Sequence, residues 1–141
     1  MKKTFLFLIA FLVSAFDAFA YTYTKRHVLI PMRDGVRLYT EIYEPSDHPQ
    51  APVLIMRTPY SLSPYNNDTF DKNTFGLDSV YLKHGYILVR QNVRGTYLSE
   101  GRFVQSRPFI VNKKGKETDE ASDAWDTVDW LLAHCHTNGR V

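Results

Sequence analysis

Two short, continuous apolar runs constrain most strongly what this chain can fold into. They occupy residues 53–56 and 86–89. Such runs are typical of strands that are covered on both faces of a sheet. Residues 78–84, between them, have the pattern of a short helix that ends at Gly85, a residue suited to a helix C-cap. The order strand, helix, strand predicts a crossover unit of a parallel sheet in an α/β fold.

A β-hairpin is predicted before the first apolar run. Residues 25–31 and 36–43 have strand patterns, and Arg33-Asp34-Gly35 between them carries the Asp-Gly turn signal. In the second strand, apolar residues and threonine occupy even positions 36 to 42, whereas polar and aromatic residues occupy odd positions 37 to 43. We therefore expect one packed face and one face closer to water.

The last long element is predicted to be a helix. Thr118 or Asp119 can cap its N-terminus, and acidic residues there suit the positive end of the helix dipole. The expected buried face consists of apolar residues at spacings of four, three, four and three: Ala121, Trp125, Val128, Leu132 and Cys135. Asn138-Gly139 ends the helix, and Val141 would begin another strand.

Long loops follow both buried strands. Strand-to-helix loops in α/β units usually have about 2–6 residues, and both loops here are much longer. The carboxyl ends of strands are the edge at which open α/β sheets bind ligands. The loops therefore predict a ligand site at this edge, with simple surface packing as the alternative.

The first loop offers Tyr60 as a candidate catalytic residue. It follows Thr58-Pro59, and proline restricts both its own φ and the conformation of the residue before it. A phenol that is held in place and neutral near pH 7 can donate a hydrogen bond to developing negative charge, as an oxyanion hole requires. Packing at the strand end is the alternative role for this tyrosine.

The second loop contains Arg94 and Glu100, with Gly95 between them. Arg94 can pair with a carboxylate, for which Glu100 is close in sequence. We expect an ion pair that pins the loop, and contact with a substrate is the alternative. The loop lacks the glycine spacing of a dinucleotide site and the lysine of a P-loop, so no cofactor is predicted.

Composition excludes several classes of function. The net charge is +2, no basic stripe is present, and nucleic acid is not an expected partner. Cys135 is the single cysteine, so no internal disulfide is possible. No metal site is predicted, because in His134-Cys135-His136 adjacent helical residues point about 100° apart.

The N-terminus has the pattern of a secretory signal. Lys2 and Lys3 precede an apolar stretch over residues 4–15, and Ala18-Phe19-Ala20 provides an A-x-A cleavage site. We expect cleavage after Ala20, which leaves residues 21–141 as a domain exported to the periplasm or the exterior. No membrane association is expected after cleavage; an uncleaved membrane anchor is the alternative.

Several motifs together resemble the opening of the α/β-hydrolase domain shared by α-amino acid ester hydrolases, cocaine-esterase-type acyl esterases, glutaryl cephalosporin acylases and X-Pro dipeptidyl-peptidases. The resemblance covers residues 25–141 and leans toward the α-amino acid ester hydrolases. The matching segments, in order, are residues 32–38, 57–60, 85–89, 91–95, 99–101, 107–108, 123–131 and 138–141.

This resemblance implies an α/β fold, the N-terminal portion of an α/β-hydrolase with a mostly parallel sheet and crossover helices. It implies that the Tyr60 hydroxyl helps to form the oxyanion hole and that Arg94 and Gly95 shape their loop. Asn92 departs from the family pattern, in which aspartate is usual, and the departure concerns a local hydrogen bond.

The resemblance also implies a serine hydrolase that acts on a small-molecule ester, amide or peptide. No G-x-S-x-G occurs in the sequence, so the chain is expected to stop before the nucleophile elbow. Without the Ser-His-Asp triad, the 141 residues alone are expected to be inactive. The alternative is a non-catalytic secreted domain or a ligand-binding remnant.

Overall fold

The computed structural model describes residues 22–48, 50–70 and 79–141. The predicted signal segment, residues 1–20, and the expected mature start at Tyr21 lie outside these ranges. Among the described residues, no helix has the length and apolar character needed to cross a membrane. The elements in these ranges are β1 (Tyr23–Pro31), β2 (Arg37–Pro45), β3 (Val53–Thr58), α1 (Ser79–Lys83), β4 (Ile87–Asn92) and α2 (Glu120–His134).

The described strands form one sheet in the order β1-β2-β4-β3. β1 and β2 form the predicted antiparallel hairpin, with Tyr23 opposite Pro45 and Pro31 opposite Arg37. Its turn depends on Gly35, whose φ of 91° is one that other residues rarely adopt. Asp34 supports the turn by accepting a hydrogen bond from the Val36 amide at 3.2 Å.

The predicted crossover is confirmed. β3 and β4 pair in parallel from Val53–Ile87 to Thr58–Asn92, and α1 lies between them in the chain. β2 pairs with β4 antiparallel, so this sheet is mixed and not mostly parallel. β4 lies between two strands and is buried, whereas β3 is only partly covered, with Met56 41% exposed. Full burial of both runs was therefore predicted correctly only for β4.

The expected wetter face of β2 is buried. Tyr39 and Tyr43 are 2% exposed and Glu41 is fully buried. The Glu41 carboxylate lies 2.9 Å from the Lys25 ammonium and accepts a 2.7 Å hydrogen bond from the Tyr43 hydroxyl. A buried charge is tolerated when it is paired in this way, and a partner on another strand cannot be read from alternation within β2.

The prediction for the buried face of α2 is wrong. Trp125 is 71% exposed and Leu132 is 42% exposed. The fully buried positions are Ser122, Asp123, Thr127 and Leu131. Only Leu131 among these joins the apolar core of the sheet, formed with residues such as Ile30, Ile42 and Val89. The other three are buried because they find polar partners.

One of these polar contacts links α2 to the central strand. The Thr127 hydroxyl lies 3.0 Å from the side-chain nitrogen of Gln91, a fully buried residue of β4. The Gln91 side chain also accepts a 2.8 Å hydrogen bond from Arg57 at the end of β3. Buried amide and hydroxyl groups carry no penalty when they are hydrogen-bonded, which explains a polar face against the sheet.

Asp119, rather than Thr118, caps α2. Its carboxylate accepts a 2.8 Å hydrogen bond from the Ser122 amide, and the Ser122 hydroxyl accepts one from the Asp119 amide, which completes a capping box. The carboxylate also pairs with Lys113 at 2.7 Å. Burial acts to raise the pKa of Asp119, but the hydrogen bonds from Lys113, Ile110 and Ser122 outweigh it and lower that pKa well below its usual range.

Asp123 is the centre of a buried ion cluster. Arg94 donates to both of its carboxylate oxygens, at 3.1 and 2.8 Å, and Arg107 donates to it at 2.5 Å. Arg94 also donates to Asp34 in the β1–β2 turn at 2.7 Å. The hydrogen bonds to Asp123 and Asp34 raise the pKa of Arg94. The cluster therefore fastens the loop after β4 to both α2 and the hairpin.

We predict that Asp123→Ala destabilises the protein by about 3–5 kcal/mol, because it leaves buried guanidinium groups without their counter-charge. Urea denaturation of the purified protein measures the change. Asp129→Ala, at an exposed position of the same helix, is the matched control and should stay within about 0.5 kcal/mol of wild type. Equal effects of the two substitutions would contradict a central role for the cluster.

A second prediction concerns acid stability. Because the pKa of Asp119 is lower in the folded than in the unfolded protein, its contribution is complete above about pH 4 and is lost as the pH falls toward the folded value. Asp119→Asn keeps an N-cap but removes the charge. It should therefore cost most stability near pH 7 and progressively less below pH 4, in urea titrations at each pH. A cost that does not vary with pH would show that the charge is unimportant.

Candidate active site

The candidate site lies at the edge of the sheet where β3 and β4 end together. The last register pair of these parallel strands is Thr58–Asn92. One residue further, the Val93 amide donates to the Thr58 carbonyl at 3.0 Å. The two long loops therefore leave the sheet side by side, as their lengths and the crossover predicted.

The main chain of Tyr60 is held on both sides. Its amide donates to the Thr58 hydroxyl at 3.1 Å, and its carbonyl accepts a 2.8 Å hydrogen bond from the Asn92 side-chain amide. The tyrosine side chain, in contrast, is 76% exposed. Tyr60 is thus a phenol that projects from an anchored backbone at the ligand-binding edge, and its exposure argues against the packing alternative.

Asn92 was not predicted as a site residue. It is fully buried at the end of β4. Besides donating to Tyr60, it accepts a 3.2 Å hydrogen bond from the Tyr65 hydroxyl, which itself accepts one from the Leu62 amide at 2.9 Å. The available sequence signal was its departure from the family pattern, which concerned only a local hydrogen bond, whereas the contact with Tyr60 spans 32 residues of chain.

An open cleft lies beside Tyr60. Its volume is about 490 Å³, and its lining consists of Pro59, Tyr60, Thr96, Tyr97, Phe103 and Gln105. None of these side chains carries a charge. The Tyr97 ring is positioned by stacking on Tyr65, with 5.8 Å between the ring centroids. The cleft therefore offers aromatic and neutral polar surface to a small molecule beside Tyr60.

Arg94 and Glu100 both form ion pairs, but not with each other. Arg94 is 7% exposed and pairs with Asp34 and Asp123. Glu100 pairs with the Arg37 guanidinium and also accepts a 2.9 Å hydrogen bond from the Arg37 amide. The expected ion pair therefore exists with different partners, and neither residue lines the cleft.

The structure explains why residue 95 is a glycine. A Cβ at this position would lie 2.0 Å from the main-chain nitrogen of Phe103, a distance that no side chain allows. Its φ of 72° also favours glycine. Arg94 and Gly95 together therefore close the loop that brings Phe103 to the cleft, which agrees with the loop role that the resemblance implies for them.

The side chains of His134, Cys135 and His136 point to different partners. The His134 ring stacks on Trp130, with 4.1 Å between centroids, whereas His136 lies beside Glu44. The Cys135 sulfur accepts a hydrogen bond from Arg26 at 3.2 Å, and burial raises the pKa of its thiol to about 11. Across the described residues, no set of three potential ligands is arranged to hold a metal ion.

Ser99 is not available as a nucleophile, although it lies in the loop after β4. Its hydroxyl is buried, donates to the Asn92 carbonyl at 2.7 Å and accepts from the Tyr39 amide at 2.9 Å. The first hydrogen bond holds the loop against β4 and the second holds it against β2. At this edge Tyr60 is therefore a residue whose exposed side chain carries a hydrogen-bond donor and lines the uncharged cleft.

Comparison with known proteins gives consistent relatives. The family model described as X-Pro dipeptidyl-peptidase (S15 family) matches residues 34–141. The chain is 35% identical over 119 residues to the cocaine esterase of Rhodococcus sp. (strain MB1 Bresler), a match that covers 82% of this chain and 18% of that protein.

Solved structures agree with these matches and confirm the predicted α/β-hydrolase fold class. A selenomethionine-labelled α-amino acid ester hydrolase is 42% identical with a TM-score of 0.72, over 88% of this chain and 21% of that chain. An aminopeptidase from a marine sediment archaeon, Thaumarchaeota archaeon, is 32% identical with a TM-score of 0.73, over 92% and 22% respectively. The chain spans about a fifth of the length of these relatives. Its homologues are hydrolases, and the chain belongs to the X-Pro dipeptidyl-peptidase (S15) family.

Proposed function

We propose that this chain is the part of an exported serine hydrolase that supplies one donor of the oxyanion hole, the Tyr60 hydroxyl. The observation that carries the proposal is the anchored main chain and exposed phenol of Tyr60 beside an uncharged cleft. The position of Tyr60, at the carboxyl edge of a parallel strand pair, is where open α/β sheets bind ligands.

The chemistry follows from the charge that develops during acyl transfer. Attack on an ester or amide carbonyl converts its oxygen into an oxyanion. A neutral phenol that is already in place can donate a hydrogen bond to that oxygen without reorganising, and the bond is stronger where the cleft excludes water. Tyr60 would therefore stabilise the tetrahedral intermediate more than the substrate.

The path of the chain after α2 supports a place for the nucleophilic serine near Tyr60. Thr137 forms a parallel bridge with Ala51, and the Val53 amide donates to the Arg140 carbonyl at 2.9 Å. The chain at Arg140 thus runs beside β3 and in the same direction. A strand continuing from Val141 would reach the edge at which Tyr60 lies, and there it could deliver a nucleophilic serine.

The proposed substrate is a small-molecule ester, amide or peptide. The names of the relatives include an esterase, an amino acid ester hydrolase and an aminopeptidase, and all three kinds of reaction begin with attack on a carbonyl. The uncharged lining of the cleft supports a neutral group in the part of the substrate that lies against Tyr60 and Tyr97.

The Tyr60 role predicts the effect of one substitution. In the complete hydrolase, Tyr60→Phe should lower kcat for a simple ester by about 10²–10³-fold, the usual effect of losing one oxyanion donor. The exposed hydroxyl contributes little to folding, so the urea midpoint should not change. Tyr81→Phe, which removes the hydroxyl of a partly exposed tyrosine in α1 that does not line the cleft, is the matched control and should keep kcat near wild type. A Tyr60→Phe enzyme within a few-fold of wild type would exclude the role.

Export is tested separately. We propose that the protein is processed after Ala20 and leaves the cytoplasm. When it is expressed in a bacterium with its own N-terminus, mass spectrometry of the exported form should show Tyr21 as the first residue. Ala20→Leu should block processing because the cleavage site needs a small residue there, whereas Phe19→Leu should not. Processing that is indifferent to both substitutions would contradict the assigned site.

A further inference from the structure

We propose that Asn92 is a positioning residue that fixes Tyr60 for catalysis. The inference rests on the proposed role of Tyr60 and adds the group that aims it. Asn92 does not line the cleft, so it would act only through the main chain of Tyr60 and the segment that follows.

The Asn92 side chain contacts both ends of the segment 60–65. Its amide nitrogen donates to the Tyr60 carbonyl at 2.8 Å, and its amide oxygen accepts from the Tyr65 hydroxyl at 3.2 Å. The Tyr65 hydroxyl in turn accepts from the Leu62 amide at 2.9 Å. We call these three bonds the Asn92 clamp. They hold the loop at its first residue, its middle and its end.

The clamp is attached to a buried strand end of the sheet. Asn92 is fully buried and pairs with Thr58 at the end of the parallel ladder. Its own carbonyl accepts a 2.7 Å hydrogen bond from Ser99. The main chain of Asn92 is therefore held by its neighbours. Its side-chain amide in turn holds the Tyr60 loop in a defined position relative to β4.

Both functions of the amide are needed in this clamp. The Tyr60 carbonyl can only accept a hydrogen bond. The Tyr65 hydroxyl donates one hydrogen bond to Asn92 and accepts another from the Leu62 amide. The Asn92 group must therefore donate on one side and accept on the other, which a neutral amide does. Leucine has nearly the same shape but does neither.

Loss of the clamp should displace the Tyr60 hydroxyl rather than remove it. The side chain of Tyr60 is exposed, so its position is set by the main chain of the same residue. One of the two hydrogen bonds that hold this main chain comes from Asn92. A misplacement of about 1 Å can cost as much as about 100-fold in rate. We therefore expect Asn92→Leu to lower kcat by about tenfold and to leave KM nearly unchanged.

A double-mutant cycle in the complete hydrolase tests this. Asn92→Leu is measured with Tyr60 present and in the Tyr60→Phe background, by steady-state ester hydrolysis. If Asn92 acts by placing the Tyr60 hydroxyl, its tenfold effect should largely disappear once that hydroxyl is absent. A merely structural role would lower activity equally in both backgrounds, because independent effects add.

Two further variants keep the test decisive. Tyr65→Phe removes only the hydroxyl between Asn92 and Leu62, and it should reproduce the non-additive loss even if Asn92→Leu folds poorly. Gln91→Leu removes the neighbouring buried amide, which contacts Thr40, Thr127 and Arg57 instead. As the matched control, it should lower stability but act independently of Tyr60.

Each outcome separates this inference from the proposed function. If Tyr60→Phe lowers kcat while Asn92→Leu and Tyr65→Phe do not, or do so additively, the clamp is overturned and the oxyanion role stands. If Tyr60→Phe has no effect, the proposed function fails, and the positioning role fails with it. Non-additive losses for both clamp variants, with an additive Gln91→Leu, support the inference.

Discussion

The buried carboxylate of Asp123 is the interaction on which the rest of the structure depends. It is fully buried, and its charge is compatible with that position only because Arg94 and Arg107 donate to it. Through Arg94 the same carboxylate reaches Asp34 in the hairpin turn. A helix, a loop and a turn from distant parts of the sequence are thereby held together, and the loop after β4 takes the shape that brings Phe103 to the cleft.

The site combines this fixed loop with a second one. Parallel pairing ends at Thr58 and Asn92, so the loop that carries Tyr60 begins where the loop that carries Arg94 begins. The loop that carries Tyr60 is anchored by hydrogen bonds to the Tyr60 main chain, and the loop that carries Arg94 is anchored by ion pairs and by the hydrogen bonds of Ser99. Together they leave the exposed phenol of Tyr60 beside an uncharged cleft, which suits the stabilisation of an oxyanion and supports a hydrolase of the S15 family.

Local signals in the sequence predicted local structure well. Asp-Gly predicted the hairpin turn and two apolar runs predicted the parallel pair, and of the two predicted caps of α2, Thr118 and Asp119, the structure uses Asp119. Burial was predicted poorly where polar residues have distant partners. Glu41 needs Lys25, and Thr127 needs Gln91 on another element. Asn92 was missed for the same reason, because its contact with Tyr60 is invisible until the two strands are side by side.

The strand order has a consequence for how the chain assembles during synthesis. β4 lies between β2 and β3 in the sheet but follows both in the sequence. Gln91, the partner of Thr40 on β4, is synthesised 51 residues after Thr40. Until then one side of the early hairpin presents unpaired backbone groups, which are a template for wrong association with other chains. β4 is therefore the strand that completes this part of the sheet, and its pairing with β2 covers the edge that the early hairpin leaves open.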